Sequence, residues 1–309
     1  MVKFIFRRIL LMIPTLIFVV LLVFLILNAT PSNPGRMLMG PTASAAQVNA
    51  INEAFGLNKP ILQRFVDYAS GLARGDMGVS YRSQRPVVEV LLPKFPRTMQ
   101  IAVLAVLGSA IIGIPLGILS AVKQYSLIDS ATTVFSMLFA SIPSFWLGLM
   151  AMLLFSLKLG WFPTSGVGTW KHMVMPVMTL AMPIGAYLSR ITRTTMLETI
   201  NQDYVRTAKS KGAPRQRQIF VHTLRNALLP IVSQLGMSFA SLLGGALITE
   251  VVFGIPGFAN EILAAIQIKD VPIVMGATIL LCVVFMVIML IVDILYAFID
   301  PRIKAAYSA

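Results

Sequence analysis

The chain has 309 residues, 57% of them hydrophobic and 12% charged, with a net charge of +13 and a mean hydropathy of +0.83. A soluble domain carries roughly a quarter charged residues, so this much apolar surface excludes an ordinary water-soluble globule and points to lipid as the solvent. The basic excess would suggest nucleic acid in a soluble chain, but in a membrane protein Lys and Arg collect in cytoplasmic loops beside anionic headgroups, and no nucleic-acid partner is expected.

The first element is a basic start, Lys3, Arg7 and Arg8, followed by an apolar run from Ile9 to Leu27. That run is longer than the 7–15 residues of a signal-peptide core and no small-x-small cleavage site follows it. It is expected to remain as a first transmembrane helix within residues 1–28. Five further apolar runs follow, roughly Ile101–Val122, Thr132–Leu157, Met173–Ile191, Ala227–Val252 and Val271–Ile299. Each approaches or exceeds the roughly 20 residues that span a bilayer. Pro115, Pro143, Pro176 and Pro183 inside these runs are compatible with membrane helices, whose neighbours satisfy the freed backbone groups. Gly236, Gly244 and Gly245 permit close helix approach. The predicted fold class is all-α and polytopic, with about six spans and a transmembrane core over residues 99–309.

Residues 29–98 form the one long polar segment on the side opposite the basic loops. Gly56-Leu57-Asn58-Lys59-Pro60 and Gly75-Asp76-Met77-Gly78-Val79-Ser80 punctuate it, and Ile61 to Tyr68 between them has helical apolar spacing. The segment reads as a small folded extracytoplasmic subdomain. Arg190, Arg193, Arg206, Lys209, Lys211, Arg215, Arg217 and Arg225 crowd the connection between the fourth and fifth spans, and Arg302 and Lys304 follow the sixth. The opposing short connections carry Lys158 and Lys171, then Lys269 with Glu261 and Asp270. This asymmetry places both termini and the basic connection in the cytoplasm.

Catalytic chemistry has little support. The two histidines, His172 and His222, match no metal-ligand spacing, and G-x-x-x-x-G-K-[ST] and G-x-S-x-G patterns are absent. The lone Cys282 makes neither an internal disulfide nor a thiolate metal site. No enzyme activity, cofactor or metal site is expected. Polar positions inside the spans are candidates for a translocation pathway: Ser141, Ser144, Ser233, Gln234, Ser238 and Ser241. Glu250, Phe253 and Pro256, near the outer end of the fifth span, suggest an outer gate or, equally, a plain interfacial loop. Asp293 in the last span either lines the pathway or joins a structural ion pair.

The most informative stretch is Asp203-Tyr204-Val205-Arg206-Thr207-Ala208-Lys209-Ser210-Lys211-Gly212-Ala213-Pro214, running on to Leu229-Pro230. A short helix from Gln202 to Lys211, stopped by Gly212 and Pro214, is predicted within a loop at about 198–226. Gly212 would be needed for a positive φ or for close backbone approach. The stretch resembles the cytoplasmic EAA loop of ABC-importer permeases, with Arg206-Thr207-Ala208 in place of Glu-Ala-Ala. Arg206 in place of the acidic residue, and a Gly212-to-Pro230 spacing about five residues longer than usual, resemble the dipeptide, oligopeptide, glutathione and nickel branch. So do Ile13-Pro14-Thr15, the two outer-segment motifs, Thr249 to Gly257, and Asp293 to Arg302.

That resemblance implies a permease subunit of a binding-protein-dependent importer in a prokaryotic inner membrane, surrounded by membrane lipid. It implies a homologous second permease, two ATPase subunits docked on the coupling loops, and an extracytoplasmic substrate-binding protein. The coupling residues would be Tyr204, Arg206, Thr207, Ala208, Lys209, Lys211, Gly212 and Arg215. Peptides are the expected substrates, with glutathione or nickel as alternatives. An ATP-independent secondary transporter is the rival class, but it would call for intramembrane carboxylates and inverted repeats, and the sequence displays neither clearly. The topology is testable. A thiol reagent added from outside should modify Ser83→Cys and leave Ser210→Cys untouched; the reverse pattern would exclude the six-span arrangement.

Overall fold

The computed structural model describes residues 2–29 and 33–299. The basic residues Arg302 and Lys304, the end of the last family-like motif and the C-terminus itself lie outside the described residues. Fourteen helical elements follow one another: α1 (Val2–Ala29), α2 (Pro34–Met39), α3 (Ala45–Ala54), α4 (Ile61–Ala73), α5 (Val87–Leu91), α6 (Phe95–Val122), α7 (Leu127–Ser141), α8 (Ser144–Ala151), α9 (Lys171–Ile200), α10 (Asp203–Ser210), α11 (Arg215–Arg217), α12 (Arg225–Val252), α13 (Phe258–Gln267) and α14 (Val271–Ile299). Among the described residues the only strand-like feature is an isolated bridge between Val79 and Pro86. In hydrocarbon every backbone N–H and C=O must be satisfied within its own segment, which favours helices.

Five stretches are long and apolar enough to cross a membrane: Ile5–Ala29, Phe95–Val122, Lys171–Ile200, Arg215–Val252 and Val271–Phe298. The expected third span is not one helix. It is α7 and α8, the latter running on into a π-helical turn at Met152–Lys158, with a 99° bend between the two arms. Taken as one crossing, the pair brings the number of spans to six. Pro143 is the cause. A proline disfavours the helical conformation at the residue before it, and Ile142 sits at φ −80° and ψ 125°. Pro115, Pro176, Pro183 and Pro230 remain inside their helices.

The basic connection also differs from a loop. Helix α9 continues to Ile200, so Arg190 and Arg193 lie on it. Helix α11 passes through a second π-helical turn, Gln218–Leu224, directly into α12. Only the breaks around Asn201–Gln202 and Lys211–Pro214 separate α10 from its helical neighbours.

The chain divides into two compact units. One is built chiefly from Thr98–Ile255 with the last part of α14, and the other from Phe6–Arg97 and Pro256–Met286. In the first, α9 is the hub. A Cβ on Gly113 of α6 would lie 2.5 Å from the Gly185 carbonyl oxygen, and one on Gly117 would lie 2.5 Å from the Thr192 Cβ and 2.6 Å from the Ser189 carbonyl oxygen. Glycine four residues apart thus lets the two backbones touch. At one end of this contact Ala121, Leu188, Met196, Ile219, Ala227 and Ile231 form a buried apolar cluster. On α12, Gly236 admits Val292 of α14 in the same way.

In the second unit, α5 and α13 bury Val87, Leu91, Phe258 and Ala265 against Ile273 and Ala277 of α14. Phe24 of α1 packs edge-on against Phe65 and stacks on Tyr68 of α4. Most of α1 is otherwise exposed, including Phe6, Leu10, Ile13, Ile17 and Phe18. An apolar helix with an exposed apolar face finds its solvent in lipid tails.

The close contact makes one prediction. Gly117→Val should overpack the α6–α9 seam by about 1–3 kcal/mol and lower the thermal aggregation midpoint of the detergent-purified chain. An unchanged midpoint would exclude backbone-distance packing there.

Candidate translocation and coupling site

Helix α12 presents Gln234, Met237, Ser238, Ser241, Leu242 and Gly245 at intervals of three and four residues, which places them on one helical face. That face, with Leu180, Pro183 and Ile184 of α9 and Ser144 at the start of α8, encloses a cavity of about 430 Å³. Four of the six predicted pathway residues meet there: Ser144, Gln234, Ser238 and Ser241. The Gln234 amide donates to the Ser238 hydroxyl at 3.2 Å. The bend at Pro143 matters for this geometry, because it brings Ser144 to the cavity at the tip of a new helix. Among the described residues no charged side chain lines the cavity. Its chemistry is that of neutral hydroxyl and amide groups set among Leu, Ile and Met.

Ser141 and Ser233 lie elsewhere. Ser141 is exposed and returns its hydroxyl to the Met137 carbonyl at 2.8 Å. Ser233 donates to the Leu229 carbonyl at 2.9 Å and shares a hydrogen bond with the Tyr296 hydroxyl of α14, so it bridges helices. The Glu250, Phe253 and Pro256 trio is divided between the two compact units. Glu250 is fully buried and accepts a hydrogen bond from Thr98. Phe253 is buried against Gly148, and its carbonyl takes the Gly166 amide at 3.0 Å. Pro256 is exposed and belongs to the other compact unit. Asp293 is half-buried on α14.

Helix α10 is polar and short, and it anchors through one side chain, Val205, which is buried. Tyr204, Arg206, Thr207, Lys209, Lys211, Gly212 and Arg215 are exposed, and Ala208 is half-buried. Asp203 stands in the first turn and Lys209 in the last, both in accord with the helix dipole. The stop is a Schellman turn: the Ala213 amide bonds the Ala208 carbonyl at 3.1 Å, and the Gly212 amide bonds the Lys209 carbonyl at 3.0 Å. Gly212 takes φ +78° to make it, and nothing lies within 4 Å of where its Cβ would be. Of the two reasons anticipated for a glycine, the positive φ is the one at work within this chain. The result is a short basic helix packed through Val205 on the Gln218–Leu224 turn with its other faces exposed, and joined to α9 by a tight break in which the Val205 and Arg206 amides both bond the Gln202 carbonyl.

In the second unit a structural role falls to Asp270, to which the sequence alone assigns none. Its carboxylate, almost completely buried, accepts the Ser80 hydroxyl at 2.6 Å and the Tyr81 and Arg82 amides at 3.1 and 3.2 Å. These bonds hold a hairpin closed by the Ser80 amide on the Arg85 carbonyl, with Arg82, Ser83, Gln84 and Arg85 exposed at its tip. Burial pushes the Tyr81 phenol above its ordinary value, which Arg64 opposes and Asp270 reinforces. Nothing in the local sequence links Asp270 to residues 190 positions earlier.

The fold is that of a polytopic helical protein with five or six candidate membrane spans. The family described as Binding-protein-dependent transport system inner membrane component matches residues 113–305, and its N-terminal component matches residues 1–102. The glutathione transport system permease protein GsiC of Escherichia coli (strain K12) is 34% identical over 304 residues, covering 98% of this chain and 99% of that one. The GsiC of Pectobacterium atrosepticum is 35% identical over the same length. Among solved structures, two inward-facing forms of the MetNI methionine ABC transporter share the fold. Their TM-scores are 0.54 and 0.57 at 18% and 16% identity, and they cover 68% and 69% of this chain and 96% and 98% of theirs. The chain belongs to the binding-protein-dependent transport inner membrane component family and is a permease subunit of an ABC importer.

The Asp270 clamp is open to test. Asp270→Asn turns an acceptor-only group into one with donors facing other donors, at a cost of about 1–3 kcal/mol. The Tyr81 and Arg82 amides should then exchange with deuterium about 10–100-fold faster. Exchange as slow as in the unmodified chain would show that the hairpin holds itself.

Proposed function

We propose that the chain forms one half of an ATP-driven import pathway for di- or oligopeptides, in the inner membrane of a prokaryote with both termini in the cytoplasm. The observation that carries this reading is the convergence of Ser144, Gln234, Ser238 and Ser241 on one uncharged cavity. A peptide backbone offers amides and carbonyls that hydroxyl and carboxamide groups match without holding too tightly. Bare Ni²⁺ would favour imidazole or carboxylate ligands, and neither lines the cavity among the described residues. The names of the relatives favour glutathione, itself a tripeptide, as the particular cargo.

In this reading a homologous second permease completes the pathway, and a substrate-binding protein delivers cargo to the outer face. The 29–98 segment, with its exposed hairpin tip, is the part of this chain that meets the binding protein. Two ATPase subunits hydrolyse ATP, and one of them receives α10 in a surface cleft. Work done on another chain must enter through a stiff contact, and a Schellman-stopped helix with one buried anchor is stiff. The acidic-to-basic change at Arg206, with Lys209, Lys211 and Arg215 nearby, predicts a cleft with an acidic rim.

Gly212→Asp tests the assignment. It places a side chain at φ +78° and adds bulk and a charge to the seat. The permease should still insert and pair with its homologue, while ATPase binding or substrate-stimulated hydrolysis falls at least about tenfold, equivalent to 1.4 kcal/mol of lost contact. Lys304→Ala should change little. Normal transport and hydrolysis by Gly212→Asp complexes would return the basic stretch to a simple orientation signal.

A further inference from the structure

Asp129 is a buried carboxylate with no part in the pathway or in the α10 surface. It is 5% exposed, and both of its oxygens accept two hydrogen bonds. The Arg193 guanidinium grips it in fork fashion, Nε to Oδ1 at 2.7 Å and Nη2 to Oδ2 at 2.8 Å. The Ser120 hydroxyl donates to Oδ1, and the Tyr125 amide donates to Oδ2 at 2.9 Å. These four bonds come from three different segments: the end of α6, the turn before α7, and α9. The turn is tight, with Tyr125 at φ +61°, and Ser126 caps α7 by accepting the Asp129 amide.

The position of this cluster gives it mechanical meaning. Arg193 lies seven residues before Ile200, the end of α9, or about 10 Å along the helix. Helix α10 begins at Asp203, across the tight Gln202 break. A displacement of α10 therefore has two routes: through this break into α9 next to Arg193, and through the Gln218–Leu224 turn, against which α10 packs, into α12. From there two arms reach the cavity. One is α9 itself, through Leu180, Pro183 and Ile184; the other is α7, whose far end bends at Pro143 and presents Ser144. Van der Waals contacts between packed helices can slide, whereas a forked ion pair fixes the register of α7 against α9.

We propose that Asp129 and Arg193 form a latch that makes α7 move with α9, so that one push on α10 reaches both walls of the cavity. They are positioning residues and touch neither cargo nor ATPase. A bidentate pair whose carboxylate is buried and fully bonded is well fitted to such a latch, since it has one geometry and breaking it strands the Asp129 charge, although Arg193 is partly exposed. The proposal rests on the reading of α10 as the ATPase seat.

The test uses the assembled importer in proteoliposomes: both permeases, the ATPases and the loaded binding protein. The readout is peptide uptake per ATP hydrolysed. Asp129→Asn keeps the shape of the side chain but removes the charge, and Arg193→Lys keeps the charge but removes the fork. With ATPases still bound, Asp129→Asn should lower the ratio about tenfold, within the usual range of coupling between sites, and Arg193→Lys should lower it by less. Gly212→Asp, run in parallel, should instead release the ATPases. If Gly212→Asp complexes behave as unmodified, the reading of α10 fails, whatever Asp129 does. If Gly212→Asp releases the ATPases while Asp129→Asn and Arg193→Lys complexes keep the normal ratio, only the latch is overturned. If neither latch variant assembles, the pair serves folding alone and the proposal is overturned as well.

Discussion

Helix α6 lies against α9 at backbone distance, and the rest of the first unit is arranged around that contact. In lipid there is no hydrophobic drive to bring two apolar helices together, so association depends on dense van der Waals contact. Gly113 and Gly117 supply it by removing the side chains that would otherwise hold the axes apart, and Gly185, Ser189 and Thr192 supply the small facing surface. With α9 fixed in this way, its opposite faces are available for α12 and for the α7–α8 pair. The cavity is the space these helices leave when Pro183, Ser144 and the Gln234–Gly245 face fail to close on one another.

Three buried carboxylates show how the structure handles charge away from water. Asp129 is paired with Arg193 and further bonded by Ser120 and a backbone amide. Asp270 accepts a hydroxyl and two amides. Glu250 accepts from Thr98. Each carboxylate links separate elements, because a buried anion needs donors and its own helix has few to offer. None of the three lines the cavity, whose lining among the described residues is uncharged.

Helix α10, the proposed ATPase seat, follows a different logic. Helix α10 has one buried residue, Val205, and owes its shape to local chemistry: an acidic first turn, a basic last turn and a Gly212 stop. A helix so lightly anchored is free to present nearly all of its surface to another protein. Its two ends are defined by local hydrogen bonds, at the Gln202 break and the Schellman turn, rather than by a core.

Local and periodic features were legible in the sequence by itself. Apolar length determined the spans at α1, α6, α9, α12 and α14, since roughly 20 apolar residues have no other good solvent than lipid. Helix α10 and its stop at Gly212 were also readable, because a Schellman turn is written in adjacent residues. So was the family, through motifs spread along the chain. The bend at Pro143 was present as a residue but not as a consequence: Pro14, Pro115, Pro176, Pro183 and Pro230 stay within helices, and only packing decides which one breaks. The continuation of α9 through Arg190 and Arg193 was hidden because charge in the sequence reads as loop, whereas here one of those arginines is neutralised by a partner 64 positions away. Which serines face the cavity and which bridge helices was likewise decided by tertiary structure. Ser233 and Gln234 are neighbours in the chain, yet a rotation of about 100° per residue sends one to Tyr296 and the other to the cavity. Long-range donors for Asp129 and Asp270 have no local signature at all, because a carboxylate specifies that it must be paired but not by whom.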